Sequence, residues 1–436
     1  MRENDIFSHY QKYLKPYDPR FVSKDFLQLN RIELLLKKMG HPEKKLVGVQ
    51  VAGTKGKGST VAFLQQILVE AGYKTGSFYS PYLVFPSERI MINGRPITKR
   101  QVKETADRMV PLLKAVEKDT GDKVSFFEFT TALAVKYFVK EKVDIVVLEV
   151  GLGGRLDATT AIGLKNKIIT NISYDHTTTL GKTIKKIAGE KAGVIQGSDK
   201  VVTATNNRAL QVIKNRVKAK KASLLVVNKD ICYSVRRVSL LGTTIDIKHD
   251  EEEYKGLDLS LIGKYQAENF ACAFGMAQLL RREGFEVLPK HIVKAASKVK
   301  HPARFQVWGK NPLIILDGAH NLYSIKALVS TLYDLGVKSQ NTVFIFSAKK
   351  TKKQMPDILR SLSGFSDKII FPNVTSIPNL KDFYSTSQLK KYYPKAKVTS
   401  SLATGISEAE KRVGKKGVVV VTGSLYTIGE ILKKTK

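Results

Sequence analysis

The stretch VAGTKGKGST, residues 51–60, sets Gly53, Gly56 and Gly58 around Lys55 and Lys57 and ends on Ser59 and Thr60. A glycine-rich turn entered from a strand and left through a helix offers backbone N–H groups and a cation to phosphate oxygens. The common phosphate loop puts its lysine directly before the hydroxyl residue; here Gly58 stands between Lys57 and Ser59. Four further stretches carry polar groups at strand ends. Ser80 precedes Pro81 in an extended turn, where its hydroxyl suits a Mg2+ ion. Glu149 lies at the end of DIVVLEV (144–150), and a carboxylate there is costly unless paired or metal-bound. Nucleotide enzymes with α/β folds keep a Mg2+-organising acid at such a place. Gly151, Gly153 and Gly154 leave room for a ligand, with Arg155 and Asp157 at that mouth. In ITNISYDHTTTLGKTIKKIAGEKAGVI (169–195), Asp175 and His176 fill the turn after a strand. An imidazole there can ligate metal, a reading that counts only jointly with Glu149 and Ser80. Lys191, among the small residues of GEKAG, reads on its own as a solvated helix lysine. Further on, HPARFQVWGKNPLIILDGAHN (301–321) places Arg304 after a boundary and Asp317 at a strand end, with His320 opening a helix. That set suits ribose, phosphate or amino-acid recognition.

The elements that must hold these groups are legible as short β-branched runs alternating with helical stretches, the pattern of an α/β fold with mostly parallel sheets. Buried strands are expected at 46–51, 144–150, 167–172, 200–204, 313–317, 341–346, 367–371 and 417–423. An amphipathic helix is expected after the phosphate loop, and others at 265–283 and 289–299. Residues 222–262 alternate without an intervening helix and read as a small antiparallel insert. Pro302 marks a boundary near residue 300. The expected organisation is an N-terminal domain (1–300) containing the phosphate loop, a mostly parallel sheet and the insert. A smaller Rossmann-like α/β domain follows (301–436).

Bulk composition narrows the class. The chain has 436 residues, 43% of them hydrophobic, which supports large cores and excludes a disordered chain. No apolar run approaches the roughly 20 residues of a membrane span, and the N-terminus lacks the apolar stretch of a signal peptide. A cytoplasmic location is expected, with Cys232 and Cys272 as free thiols. Lysine and arginine outnumber the acids by 73 to 39, giving a net charge of +34. Such an excess suits anionic partners or a solvated basic surface; without an aromatic–basic module, no nucleic-acid partner is expected.

Taken together, GTKGKGS, YSPYL…ERI.ING, FFEFTT.A, LEVGLGGRLDAT, YDHT..LG.TI..IAGEKAGVI, Q.EN…A and LDGAHN resemble the folylpolyglutamate synthase/dihydrofolate synthase family of the Mur ligase superfamily. The resemblance runs from about residue 26 to the C-terminal VVVVTGSLYTIGEI, and the intervening Gly58 matches that superfamily's own loop. It implies ATP- and Mg2+-dependent joining of L-glutamate to a folate or dihydropteroate carboxylate through an acyl phosphate. By matching position, it gives the ATP phosphates to Lys57 and the 53–59 backbone, including Thr54, Lys55, Gly58 and Ser59. It gives the metal to Ser80, Glu149 and His176, and makes Lys191 an N-carboxylated lysine. Asn269, Arg304 and Asp317 match nucleotide contacts, with His320 nearby; Ser125, Phe126 and Leu156, Asp157 and Ala158 match the pterin side. The resemblance implies catalytic roles for Lys57, Lys191 and His176, a monomer, and no membrane partner. There are departures: Ala303 stands where the family's PGR has glycine, and Tyr265 where it commonly has histidine. The basic SAKKTKKQ (347–354) replaces an acidic turn, so Lys349, Lys350, Lys352 and Lys353 form either a solvated loop or an attraction for a polyglutamate tail. A Mur-type ligase acting on a cell-wall precursor, or a basic nucleotide-binding protein that has lost catalysis, are the alternatives.

Overall fold

Strands that are apolar at every position must be buried on both faces, and here they stack into two sheets flanked by helices. The computed structural model describes residues 3–16, 28–350, 354–375 and 380–433. The first sheet holds β1 (Gly48–Ala52), β2 (Thr75–Phe78), β3 (Ile90–Ile92), β4 (Arg95–Pro96), β5 (Ile145–Glu149), β6 (Asn166–Ile169), β7 (Lys200–Thr203) and β8 (Ser223–Val226). Their order is β4-β3-β2-β5-β1-β6-β7-β8. From β2 to β8 every neighbouring pair is parallel, while β3 and β4 close one edge antiparallel. All residues of β1, β2, β5 and β6 are buried. Because these strands run the same way, the turns after β1, β2, β5 and β6 emerge along one edge, where open α/β sheets place their ligands.

The apolar run at 223–226 departs from expectation. It does not begin the antiparallel insert; it joins β7 as a parallel edge strand. The helix Asn207–Ala219 between β7 and β8 supplies the crossover that a parallel partner requires. The insert proper is β9 (Cys232–Ser239), β10 (Gly242–His249) and β11 (Glu252–Leu259), in the order β11-β10-β9 and joined by two-residue connections. The helix after the phosphate loop, Lys57–Glu70, is also unlike the expected amphipathic one. Residues from Gly58 to Gln65 are all buried, as are Ile67 and Leu68. Phe63 packs edge-on against Phe270 of the helix Tyr265–Arg282, so this helix is covered on the side away from the sheet as well.

The second sheet comprises β12 (Gln306–Lys310), β13 (Leu313–Leu316), β14 (Thr342–Phe346), β15 (Ile369–Pro372), β16 (Lys397–Thr399) and β17 (Val418–Thr422). Its order is β12-β13-β17-β14-β15-β16, parallel except for β12. The chain divides into two compact units. One comprises Met1–Ser234, Ile245–Asp258 and Ala267–Val299; the other comprises Val235–Thr244, Leu259–Gln266 and Lys300–Lys436. The first unit has cores on either side of its sheet, one around Phe129, Phe138 and Leu148, the other around Ile169, Ile195 and Ile213. The core of the second gathers on Ile315, Leu328, Phe344 and Phe371. Cys232 is exposed and Cys272 buried, both free thiols as expected. Among the described residues no helix is long and apolar enough to cross a membrane.

Candidate active site

The turn after β1 is shaped by two close approaches. Gly53 has φ 138° and lies so near the Thr170 hydroxyl that a Cβ would overlap it. Gly56, at φ 84°, caps the helix that starts at Lys57 and meets the side-chain oxygen of Asn269 in the same way. Only glycine fits both the backbone conformation and the space. The loop therefore delivers Lys57 and the amides of Gly58 and Ser59 at a helix N-terminus, the positive end of its dipole. Asn269 also accepts the Thr60 hydroxyl on its carbonyl (3.3 Å), fixing the first helical turn.

The two loop lysines diverge. Lys57 Nζ lies 3.8 Å from Glu149 Oε1. Glu149, buried at the end of β5, accepts the Ser80 N–H on Oε2 at 2.9 Å, which brings the turns after β2 and β5 together. Lys55 turns the other way and pairs with Asp175 Oδ2 at 2.7 Å, while its own N–H donates to Asn171 Oδ1 at 3.1 Å. The Lys55 ammonium, expected at a phosphate, here faces the Asp175 carboxylate.

Lys191 is not the solvated lysine that its helix position suggests. It is 5% exposed and donates to the Gly53 carbonyl at 2.6 Å. Burial first, and then the neighbouring Lys57 charge, bring its ammonium down to about 7. Gly53, Thr54, Lys57, Gly151, Leu152, Gly153, Asp175, His176 and Lys191 line one cavity. His176 is more than half exposed and sits at φ 48°. Among the described residues no group of three or more His, Cys, Asp or Glu gathers. A hard Mg2+ ion asks for no such cage, since one or two carboxylates with phosphates and water complete its shell. Glu149, with the Ser80 turn bonded to it and His176 in the adjoining cavity, is a donor set of that kind.

The glycine turn after β5 is held from behind. Asp157 is buried, which raises its carboxyl pKa, and it accepts from Leu152 N, Thr159 N and Thr159 Oγ1. Thr159 and Thr160 receive the Gln50 amide, and Gln50 Oε1 accepts the fully buried Lys167 ammonium at 2.9 Å. Burial brings Lys167 down to about 8. Nothing local in the sequence marks the contacts of Gln50, and the sequence alone puts Asp157 at the ligand mouth. The side chain serves the turn's own backbone. Leu156 is half-buried and Ala158 buried. Ser125 caps the helix Phe126–Lys140 in a reciprocal pair with Glu128. Phe126 lies under the Arg89 guanidinium, and Phe127 presses on Gly151 closer than a side chain there would allow.

In the second unit, Asp317 follows β13 and accepts from Phe305 N and Ala319 N at 2.7 and 2.8 Å; burial raises its pKa. Those bonds hold a bent segment in which Ala303 and Phe305 have φ 61° and 44°. Alanine for glycine at 303 is thus no mild change, since a Cβ at such φ costs about 1–2 kcal/mol. Arg304 Nη1 donates to the Ala303 carbonyl, and His320 Nδ1 donates to the Gly318 carbonyl. Tyr265 is half-buried, its phenol pushed up by desolvation and then by Asp317. Of the basic 349–353 run, Lys349 stacks over Tyr426 and Lys350 donates to the Lys381 carbonyl. Lys352 and Lys353 lie outside the described residues, as do residues 26 and 27, where the resemblance begins.

Comparisons with known proteins decide the family. Residues 51–277 match the Mur ligase middle domain and residues 300–434 the dihydrofolate synthetase C-terminal domain. The chain is 35% identical to a dihydrofolate synthase/folylpolyglutamate synthase of Bacillus subtilis, over 94% of this chain and 95% of that one. The chain belongs to the dihydrofolate synthase/folylpolyglutamate synthase family. It is also 33% identical to the dihydrofolate synthetase of Saccharomyces cerevisiae, over 93% and 97% of the two chains. Among solved structures, the Mycobacterium tuberculosis folylpolyglutamate synthase complexed with ADP and AMPPCP superimposes with a TM-score of 0.89. It is 25% identical and covers 99% of this chain and 98% of that one. The family's fold is thus the α/β fold described above.

Proposed function

We propose that this chain is an ATP-dependent ligase that joins L-glutamate to the carboxylate of dihydropteroate or a reduced folate. The observation that carries the reading is the meeting of Lys57 at a helix N-terminus, Glu149 at the end of β5 and the buried amine of Lys191 on the Gly53 carbonyl. The turn amides and Lys57 suit a triphosphate. The acceptor's carboxylate oxygen attacks the γ-phosphorus and displaces ADP, giving an acyl phosphate. The glutamate amine then adds to the acyl carbon, loses its proton, and phosphate departs with the carboxylate oxygen. For the phosphoryl step the protein mainly positions and neutralises charge.

Mg2+, held by Glu149 with Ser80 and His176, would neutralise charge on the phosphates. Lys191 suits a carbamate: with its ammonium down to about 7, the neutral amine that adds carbon dioxide with loss of a proton is well populated near neutral pH. The same reading gives Ser125, Phe126 and the Leu156–Ala158 turn to the pterin side. It gives nucleotide contacts to Asn269, and to Arg304, Asp317 and His320 of the second unit. It takes the first unit as the ATP- and folate-binding body, and the enzyme as a cytoplasmic monomer. Incubation with ATP, Mg2+, glutamate and either dihydropteroate or tetrahydrofolate tests it by mass spectrometry. A product one glutamyl unit heavier, absent without ATP, is expected; unchanged acceptors from protein that binds ATP would refute the folate assignment.

A further inference from the structure

We infer that Lys55 and Asp175 are a positioning pair: their ion pair clamps the turn after β6 against the phosphate loop and sets His176, while leaving phosphate to Lys57. This deepens the ligase reading and rests on it.

The contact is short and sheltered, 2.7 Å between side chains 18% and 15% exposed. It joins residues 120 positions apart. The same carboxylate reaches the next residue, since Asp175 Oδ1 accepts the His176 N–H at 3.0 Å. One side chain therefore connects the loop lysine to the backbone of a residue held at φ 48° and ψ 39°. A left-handed conformation is unfavourable for a residue with a Cβ and persists where its surroundings impose it.

Other bonds run beside the pair. Thr54 Oγ1 accepts from Ser173 N at 3.0 Å, and Thr54 N donates to the Asn171 carbonyl at 2.7 Å. Thr170 Oγ1 donates to the Lys55 carbonyl at 2.7 Å. The first half of the loop is thus sewn to the 170–176 turn, and the ion pair is the one charged stitch among these bonds. A phosphate competing for Lys55 would have to displace a carboxylate at hydrogen-bond distance. Lys57, at 3.8 Å from Glu149, is not held so closely. Asp175 lines the same cavity as Lys57 and Lys191, so without Lys55 its negative charge would face an incoming triphosphate.

The pair and a phosphate contact by Lys55 predict different patterns in the full-length chain. ADP affinity, measured calorimetrically with Mg2+, needs no folate and so reads the pair even if the acceptor assignment fails. Lys55→Met should weaken ADP about tenfold, the scale of one charge-assisted hydrogen bond. Asp175→Asn should leave ADP affinity within about twofold, because the freed lysine is not repelled by phosphate. The double variant should bind ADP better than Lys55→Met alone, since the carboxylate charge beside the phosphates is gone. Urea denaturation of Lys55→Met beside the parent separates loss of the pair from loss of the fold. If the double variant is as weak as Lys55→Met, Lys55 contacts phosphate itself and the inference fails. Turnover at saturating ATP reads positioning: Asp175→Asn should lower kcat about tenfold with KM for ATP little changed, on the same scale. An unchanged kcat in Asp175→Asn would equally overturn it.

Discussion

Lys191 shows what a single side chain's surroundings add to its sequence context. In GEKAG it is one lysine on a helix in a lysine-rich chain. In the fold it lies under the phosphate loop, bonded to Gly53, with its charge disfavoured. Lys191→Ala should keep the fold and lose turnover, with partial return on adding a short carboxylate if a carbamate is the working group; steady-state assays with and without formate or acetate decide this. Lys57→Ala should cut turnover by roughly a hundredfold or more, as removal of a preorganised charge in a site does, while unfolding stability changes little. Phosphate-release assays beside denaturation curves check both halves. Lys57 and Glu149 were legible because each sits where a strand meets a turn, a position that sequence patterns mark. The partners of Lys55, Gln50 and Lys167 were not, because those contacts join residues far apart along the chain.

Among the elements, the turn after β5 is the one whose shape depends most on buried polar atoms. Asp157 accepts three bonds from it and from Thr159. In Asp157→Asn, one acceptor oxygen is exchanged for an N–H donor that meets other N–H groups. A loss of about 1–3 kcal/mol in unfolding free energy is expected, the cost of leaving buried donors unmatched. Hydrogen exchange at the Leu152 amide should quicken in the same variant, and mass-resolved exchange would register it. Strands were legible to within a few residues, as with 313–317 against Leu313–Leu316, because apolar β-branched runs leave few other choices. The edge strand Ser223–Val226 and the all-round burial of Lys57–Glu70 were not, since both depend on what packs beside them.

On the scale of the whole molecule, the α/β class followed from alternating strand and helix signals, and the family from blocks spread along the chain. The way the second unit takes in 235–244 and 259–266 has no such signal, since a local pattern does not say which unit a hairpin joins. The net charge of +34 makes pH a useful probe. Lys167 is fully buried at about 8 in the fold, against about 10.4 for a free lysine. Below about 8 both folded and unfolded chains carry that proton and the burial penalty is fully present. Above it the folded chain releases the proton first, so stability rises with pH until the unfolded value is reached. From pH 7 to pH 9 this contributes about 1 kcal/mol, and Lys167→Met should lack that increment in urea titrations at the two pH values. An acyl-phosphate route leaves an isotopic trace in the phosphate released. With heavy oxygen in the acceptor's carboxylate, turnover with ATP and glutamate should transfer one labelled oxygen to each phosphate released. Unlabelled phosphate, or release that ignores the folate acceptor, would contradict the acyl-phosphate ligase.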